Sequence, residues 1–287
     1  MMTAVLVLYG GAAAAQWRVV ADRAVAGFGH PESVAYDPLA QVLYVSRFGP
    51  VFNPTLKDGQ GYISRVDLRG RVLTERFLPP AGYKLHKPKG VWTDGKTVWT
   101  ADIDSVWAFD LAGGQARQLV LPGAVFANDV LVTGGRLYVS GTASGTIYAV
   151  EPPNLLSPRP TVEVVMRMSG LAPNGLAVTL RGTLLFGTMP RGELGGIYQM
   201  IAPRRAKEVS PGLGGIDGLA YLPDGTILFT DWRSGGLLAL SNRGRVITLA
   251  RGFKGPADFV VIPQGQGYLV VAPDLVKGEL RFITLTR

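Results

Sequence analysis

The chain has 287 residues, 38 glycines, 20 prolines and no cysteine, so disulfides and thiolate ligands are excluded. Apolar residues make up 47% and charged residues only 17%, a composition that builds a large core and excludes a disordered chain. The formal net charge is +8, but Lys and Arg are spread along the sequence. We therefore expect a solvated basic surface and no nucleic-acid partner.

The first predicted element is a signal peptide. An apolar run from Ala4 to Ala15 ends in three alanines followed by Gln16, which matches the A-x-A pattern of a secretory cleavage site. The run is too short to span a bilayer. We predict a signal peptide over residues 1–15, a mature chain that starts near Gln16 without a membrane span, and a periplasmic or secreted location.

After Gln16 the chain repeats one pattern six times, in which a polar residue and a small residue precede an apolar strand. A turn, with signals such as Asp224-Gly225, then leads to a second strand. Third strands such as YISRVD and TIYAVE follow, and five repeats add a fourth strand. The six repeats begin at PESVAYD from Pro31, PKGVWTD from Pro88, ANDVLVT from Ala127, PNGLAVT from Pro173, IDGLAYL from Ile216 and PADFVVI from Pro256.

A unit of about 40 residues with four strands has the size and content of a propeller blade. The sixth unit lacks a fourth strand, and the segment WRVVADRAV from Trp17 can supply it, which leaves no open edge. The predicted fold is all-β: a six-bladed β-propeller with four antiparallel strands per blade. It forms one domain over residues 16–287, closed by the N-terminal strand.

The polar residue that opens each repeat is expected to lie at one mouth of the central channel, because the first strand of a propeller blade lines that channel. The six residues are Glu32, Lys89, Asn128, Asn174, Asp217 and Asp258, at spacings of 57, 39, 46, 43 and 41 residues. Polar groups that faced a core would lack partners. Convergent polar groups in a concavity indicate a binding site, with a solvated rim as the alternative.

Five of the six positions carry oxygen donors, which Ca²⁺ and Mg²⁺ prefer. Zinc is disfavoured, because the chain has no cysteine and its two histidines lie in different repeats. We predict a divalent metal as cofactor, Ca²⁺ first, with Mg²⁺, Mn²⁺ or Zn²⁺ as alternatives.

Four of these segments, PES at Glu32, ND at Asn128, PNG at Asn174 and IDG at Asp217, resemble the senescence-marker-protein/gluconolactonase family, also called regucalcin-like. The resemblance covers nearly the whole mature chain and looks closest to a bacterial exported subgroup. It implies a six-bladed propeller in which these four residues hold a divalent cation. It also implies lactone hydrolysis, in which the metal activates water and Asp217 takes the proton as the catalytic base.

One position departs from that family. Its sugar lactonases commonly have an Arg two residues before the first metal-binding Asn, and here that position is Phe126. A different and less polar substrate is therefore expected. We predict substrate contacts from Lys89, Phe126 and Asp258 and, with strand-end hydrogen bonding as the alternative, from Asp129, Asp102 and Asp231.

The segment from Gly90 to Thr97 matches the phosphate-binding pattern GxxxxGK[ST], which requires a helix after the loop. Asp94-Gly95 instead favours the turn of a β-hairpin, so no nucleotide is predicted.

Three functions stay open. A gluconolactonase-like, metal-dependent hydrolase of a lactone or related ester comes first. The alternatives are a non-catalytic propeller that has a structural Ca²⁺ and binds a ligand or protein partner, and a lyase built on the same metal platform. We expect a small-molecule substrate and a monomer.

Overall fold

The computed structural model describes residues 16–155 and 159–287, and the signal peptide predicted for residues 1–15 lies outside them. In these two ranges the regular structure is entirely β, with 24 strands in six antiparallel four-stranded sheets and no helix. The predicted six-bladed β-propeller is confirmed. Within the same ranges, no helix has the length and apolar character needed to cross a membrane.

Five blades are built from four strands that are consecutive in sequence. Blade 1 contains β2 (Pro31–Asp37), β3 (Val42–Arg47), β4 (Tyr62–Asp67) and β5 (Val72–Leu78). Blade 2 contains β6 (Pro88–Thr93), β7 (Thr97–Asp102), β8 (Ser105–Asp110) and β9 (Ala116–Val120). Blade 3 contains β10 (Ala127–Thr133), β11 (Arg136–Gly141), β12 (Thr146–Glu151) and β13 (Thr161–Arg167). Blade 4 contains β14 (Pro173–Val178), β15 (Leu184–Thr188), β16 (Gly195–Ala202) and β17 (Arg205–Gly214). Blade 5 contains β18 (Ile216–Tyr221), β19 (Ile227–Asp231), β20 (Gly236–Leu240) and β21 (Val246–Arg251).

Blade 6 joins the two ends of the described chain. It contains β22 (Val260–Gln264), β23 (Gly267–Asp274) and β24 (Glu279–Thr286), and β1 (Arg18–Ala26) pairs with β24 as its outer strand. The Trp17 indole N–H adds a hydrogen bond of 2.9 Å to Asp224 in blade 5. The N-terminal strand therefore closes the ring as predicted.

The core lies between the blades. Six clusters of buried side chains fill the six spaces between neighbouring blades, because alternate residues of each strand face each adjacent sheet. Between blades 6 and 1, for example, Leu43 and Val45 pack with Phe282, and all three are at most 2% exposed. Burying such a side chain contributes roughly 1.5–3 kcal/mol, so the packing fixes the blades around a common axis.

The β-hairpin predicted over the phosphate-loop-like segment is also present. β6 and β7 pair directly, and the Asp94 carboxylate accepts the amide N–H groups of Lys96 and Thr97 at the turn. No helix follows the loop in this part of the described chain, so the segment lacks the geometry of a phosphate-binding loop.

A register irregularity marks the start of the inner strand in blades 1 to 5. At this point hydroxyl oxygens of second-strand side chains accept the inner strand's amide N–H groups in place of backbone carbonyls. Ser46 accepts the amide of Ser33, and Thr230 accepts that of Gly218. Bulges of this kind redirect side chains, and here they occur at the polar residues that open the repeats.

Candidate metal centre

The six residues that open the repeats are buried at the inner ends of their blades. Their exposed fractions run from 0% for Lys89 to 7% for Asp258. The inner strands of adjacent blades contact one another around the axis. The six polar positions are therefore held in one buried ring, which we call the polar ring (Glu32, Lys89, Asn128, Asn174, Asp217 and Asp258).

Three hydrogen bonds join adjacent blades at or beside the polar ring. Ser33 Oγ, next to Glu32, accepts the amide N–H of Val91 at 3.1 Å. Asp129 Oδ2, next to Asn128, accepts the amide of Leu176 at 2.6 Å. The amide of Asp258 donates to the Glu32 carbonyl at 3.0 Å, which joins blade 6 to blade 1.

Three close backbone approaches complete the circle. They occur at the glycines that follow Lys89, Asn174 and Asp217 in the sequence. A Cβ atom would lie 2.8 Å from the Asn128 carbonyl oxygen if added at Gly90, 2.0 Å from that of Asp217 at Gly175, and 2.9 Å from the Asp258 Cα at Gly218. Space for a side chain is therefore lacking, and the small residue after each polar position lets adjacent blades meet.

Four buried oxygen atoms of the polar ring have no hydrogen-bond partner. They are Oε2 of Glu32 and the Oδ1 atoms of Asn128, Asn174 and Asp217. In the described residues only two other buried side-chain polar atoms share this state, and both are nitrogens. Each unpartnered group costs about 1–3 kcal/mol, so four together call for a ligand that supplies positive charge.

These four oxygens fit a hard divalent cation, because carboxylate and amide oxygens are the ligands of Ca²⁺ and Mg²⁺. The described residues contain no metal-ligating group of three or more His, Cys, Asp or Glu side chains. The four unpartnered oxygens do not form such a group, because only Glu32 and Asp217 are carboxylates and the other two residues are amides.

Burial shifts the charge states of the ring. Desolvation raises the pKa of Asp217 to about 7, against the lowering effect of its hydrogen bond from Trp232. Desolvation, reinforced by the Asp217 carboxylate, also holds the pKa of Glu32 well above its ordinary value. The pKa of Lys89 falls to about 8, again mainly through burial. The protein alone therefore disfavours charge here, and a bound dication would favour the ionised carboxylates.

Two neighbouring side chains orient the ligand candidates. Trp232 Nε1 donates a hydrogen bond of 2.5 Å to Asp217 Oδ2, so the partnerless oxygen of that carboxylate is Oδ1. Asn174 Nδ2 lies 3.9 Å from Met189 Sδ, which occupies the amide nitrogen and leaves Oδ1 unpaired. Neither Trp232 nor Met189 was a candidate on sequence grounds.

Lys89 is enclosed by carbonyl oxygens and aromatic rings. Its ammonium donates to the carbonyls of Pro54 at 3.0 Å and Lys87 at 3.1 Å. It also lies 4.5 Å from the centre of the Phe126 ring and 5.5 Å from that of Phe48, and both contacts favour the cation. Phe126 thus contacts Lys89, while Phe48 is an addition from the structure.

The remaining sequence candidates make hydrogen bonds inside the protein. Asp102 accepts the amides of His86 and Lys87. Asp231 accepts those of Gly215, Arg233 and Ser234, and Asp129 those of Val130 and Leu176. Both oxygens of each carboxylate are engaged, which matches the strand-end alternative. Asp258 Oδ2 accepts a hydrogen bond of 2.6 Å from the Ser33 hydroxyl.

Residues 48–61, which we call the roof segment, link β3 to β4 and are anchored to blade 2. The Lys87 ammonium is fully buried and donates to the carbonyls of Phe48 and Val51 and to Asp58. A further hydrogen bond of 2.9 Å joins the Gly59 amide to His86 Nδ1. The long first spacing of 57 residues was the sequence signal for this insertion.

Two cavities of about 500 Å³ lie near blades 4 and 5 and near blades 5 and 6, and no residue of the polar ring lines either of them. A cleft of about 260 Å³ lies beside Trp232 and is lined by Pro190, Gly192, Glu193, Gly215, Trp232 and Arg233. Of these three spaces, only the cleft includes a residue in contact with the ring.

No protein-family model matches the chain, and no curated protein matches it by sequence. Solved structures do match. The PQQ-bound aldose sugar dehydrogenase of Streptomyces coelicolor is 16% identical with a TM-score of 0.69, covering 94% of this chain and 98% of that one. A gluconolactonase of Xanthomonas campestris is 15% identical with a TM-score of 0.67, covering 93% and 91%. Virginiamycin B lyase of Staphylococcus aureus is 11% identical with a TM-score of 0.59, covering 95% and 100%. At these identities the likeness shows a shared fold.

Proposed function

We propose that this protein is a divalent-metal-dependent hydrolase of a lactone or related ester. The observation that carries the proposal is the set of four buried, unpartnered oxygens on Glu32, Asn128, Asn174 and Asp217. Each comes from the equivalent position of a different blade, so a single ion at the axis would satisfy all four. The similarity in fold to a gluconolactonase supports the same reaction class.

In this proposal the cation, when bound, supplies Lewis-acid polarisation of the substrate carbonyl and acidifies water. Asp217 takes a proton from the attacking water, whose oxygen bonds to the carbonyl carbon, and returns that proton to the leaving alkoxide oxygen when the acyl C–O bond breaks. Its Oδ2 is fixed by Trp232, and its Oδ1 has no other partner in the protein. Lys89 has three N–H donors, two of which reach carbonyls of the protein. The third can donate to a substrate oxygen.

The test measures turnover of a lactone panel by the full-length protein with Ca²⁺, Mg²⁺, Mn²⁺ or Zn²⁺, and with chelator. The hydrolase proposal predicts turnover that chelator removes. It also predicts that Asp217→Asn reduces this turnover by about 10³-fold, the size of a general-base contribution, while the variant keeps the β-sheet circular dichroism of the wild type. Asp94→Asn, at the β6–β7 turn, is the matched control and keeps its activity. Equal rates for wild type and Asp217→Asn on every substrate would refute the proposal.

A non-catalytic propeller with a structural ion is the second candidate. It is favoured by the low exposure of the ligand candidates, which is 2% to 4%. In that case the metal raises the melting temperature, but no lactone is turned over. A lyase differs from both, because its product carries a new double bond and no oxygen from isotopically labelled water.

A further inference from the structure

A second ring of residues lies beside the polar ring. It contains the residue that follows the second strand of each blade, and we call it the collar: Phe48, Ile103, Thr142, Met189, Trp232 and Leu275. Backbone amides of five members donate to carbonyls of the segments just before the polar positions, as Met189 does to Ala172 and Trp232 to Gly215. Five of the six collar residues are apolar.

Only part of the collar is accessible. Phe48, Ile103 and Leu275, on blades 1, 2 and 6, are at most 7% exposed. Thr142, Met189 and Trp232 are half-buried, as is Phe126 beside them on blade 3. A molecule that reaches the polar ring from solvent therefore meets blades 3, 4 and 5.

These four half-buried side chains, which we call the accessible wall, offer little hydrogen bonding: Phe126, Thr142, Met189 and Trp232. Phe126 and Met189 are apolar, and the Trp232 N–H is engaged by Asp217. The Thr142 hydroxyl donates to the Pro173 carbonyl at 2.9 Å. A substrate hydroxyl buried against these side chains would lose its water without gaining a donor or a charged acceptor. An alkyl or aryl group would instead gain apolar contact.

We propose that the substrate is a lactone or ester that carries an apolar substituent and no hydroxyl groups beside the reacting carbonyl. This inference rests on the proposed hydrolase function and adds the substrate class. The apolar substituent packs against Trp232, Met189 and Phe126. Trp232 also lines the neighbouring cleft of about 260 Å³.

The experiment compares three lactones with the same six-membered ring: δ-decalactone, which has an alkyl chain, unsubstituted δ-valerolactone and D-glucono-δ-lactone. With Ca²⁺ present, we expect kcat/KM to fall in that order, by at least tenfold from first to last. Equal or faster turnover of the gluconolactone overturns the inference and leaves the hydrolase proposal standing.

Two variants that add the same charge test whether the accessible wall determines the preference for an apolar lactone. Phe126→Arg places a guanidinium in the accessible wall, and we expect it to shift the decalactone-to-gluconolactone ratio at least tenfold toward the gluconolactone. Val125→Arg adds the same charge at a neighbouring exposed position and leaves the ratio unchanged. A shift of the same size in both variants contradicts a role for the wall.

A binding measurement separates failure of this inference from failure of the hydrolase proposal. If no lactone is hydrolysed, the hydrolase proposal fails, and calorimetry with the lactam analogues of δ-decalactone and gluconolactone still tests the wall. Tighter binding of the alkyl lactam supports an apolar ligand class. Tighter binding of the polyhydroxylated lactam, or binding of neither, overturns it.

Discussion

Two buried aspartates of this propeller differ in how completely their carboxylate oxygens are hydrogen-bonded. Asp217 in the polar ring is 4% exposed, and Asp102 at the end of β7 is 1% exposed. Both oxygens of Asp102 accept backbone amides, whereas Asp217 keeps one oxygen without a partner. Burial alone therefore does not separate a structural carboxylate from one available to a ligand. Hydrogen-bond satisfaction does separate them.

The largest expected effect comes from removing one unpaired oxygen. Asn174→Leu replaces the amide with an apolar group of similar shape, so the metal-free protein should keep its melting temperature or gain a few degrees. Calcium affinity should fall at least 100-fold, because one of four ligands is lost. Thermal unfolding in chelator and calorimetric titration with Ca²⁺ measure the two effects. A destabilised metal-free variant with normal affinity would mean that Asn174 is structural.

The opposite result is expected at Asp102. Asp102→Asn replaces one of the two accepting oxygens with an NH₂ group, so the amide of His86 or Lys87 loses its acceptor. We expect the free energy of unfolding to drop by about 1–3 kcal/mol, measured by urea denaturation. Calcium affinity should stay within threefold of the wild type. A large loss of affinity would move Asp102 into the functional set.

A smaller effect should follow from freeing the second oxygen of Asp217. Trp232→Phe keeps an aromatic ring but removes the N–H that binds Oδ2. Loss of a hydrogen bond that orients a metal ligand typically weakens affinity 10–100-fold, and we expect about tenfold here. Trp99→Phe in blade 2 is the matched control, since it removes an indole hydrogen bond to the Pro153 carbonyl. Equal losses in both variants would argue against orientation of Asp217 by Trp232.

A further effect concerns pH. Burial raises the pKa of Asp217 to about 7, above the 3.8 of an unperturbed aspartate. The folded metal-free protein therefore holds this proton more tightly than the unfolded chain, and the contribution to stability is lost as the pH rises from about 4 to about 7. In chelator, we expect the melting temperature of wild type relative to Asp217→Asn to fall across this range. A difference that is constant or rises with pH would contradict the shift.

The repeat made the fold predictable, because six polar-small-apolar segments at similar spacing specify six equivalent sheets. The same alignment selected the six polar residues, and the family resemblance picked from them the four that have unpaired oxygens. The sequence left open whether Asp231 contacts substrate or backbone, since the amides that engage Asp231 come from loops whose course depends on tertiary contacts. One local signal was available: Asp231 precedes a short turn, where an aspartate commonly accepts amides two and three residues ahead.

Trp232 and the rest of the collar were beyond the reach of the repeat pattern. They lie one residue past the second strands, where the residue type varies from Phe48 to Thr142. Their contacts with the polar ring depend on where side chains of different strands point, which the repeat pattern does not specify. The indole hydrogen bond between Trp232 and Asp217, for example, joins residues on two strands of blade 5 at its inner end.

The pairing of β1 with β24 also has a kinetic consequence. Arg18 lies opposite Thr286, so this ladder can form only after almost the entire described chain has been synthesised. Blades 1 to 5 consist of strands that are local in sequence and can form earlier. Until the last strand arrives, β1 is an unpaired edge that can recruit a strand from another copy of the chain. Self-association during refolding should therefore decrease when the N-terminal strand is supplied already paired, as in a circularly permuted chain that links residue 287 to residue 16.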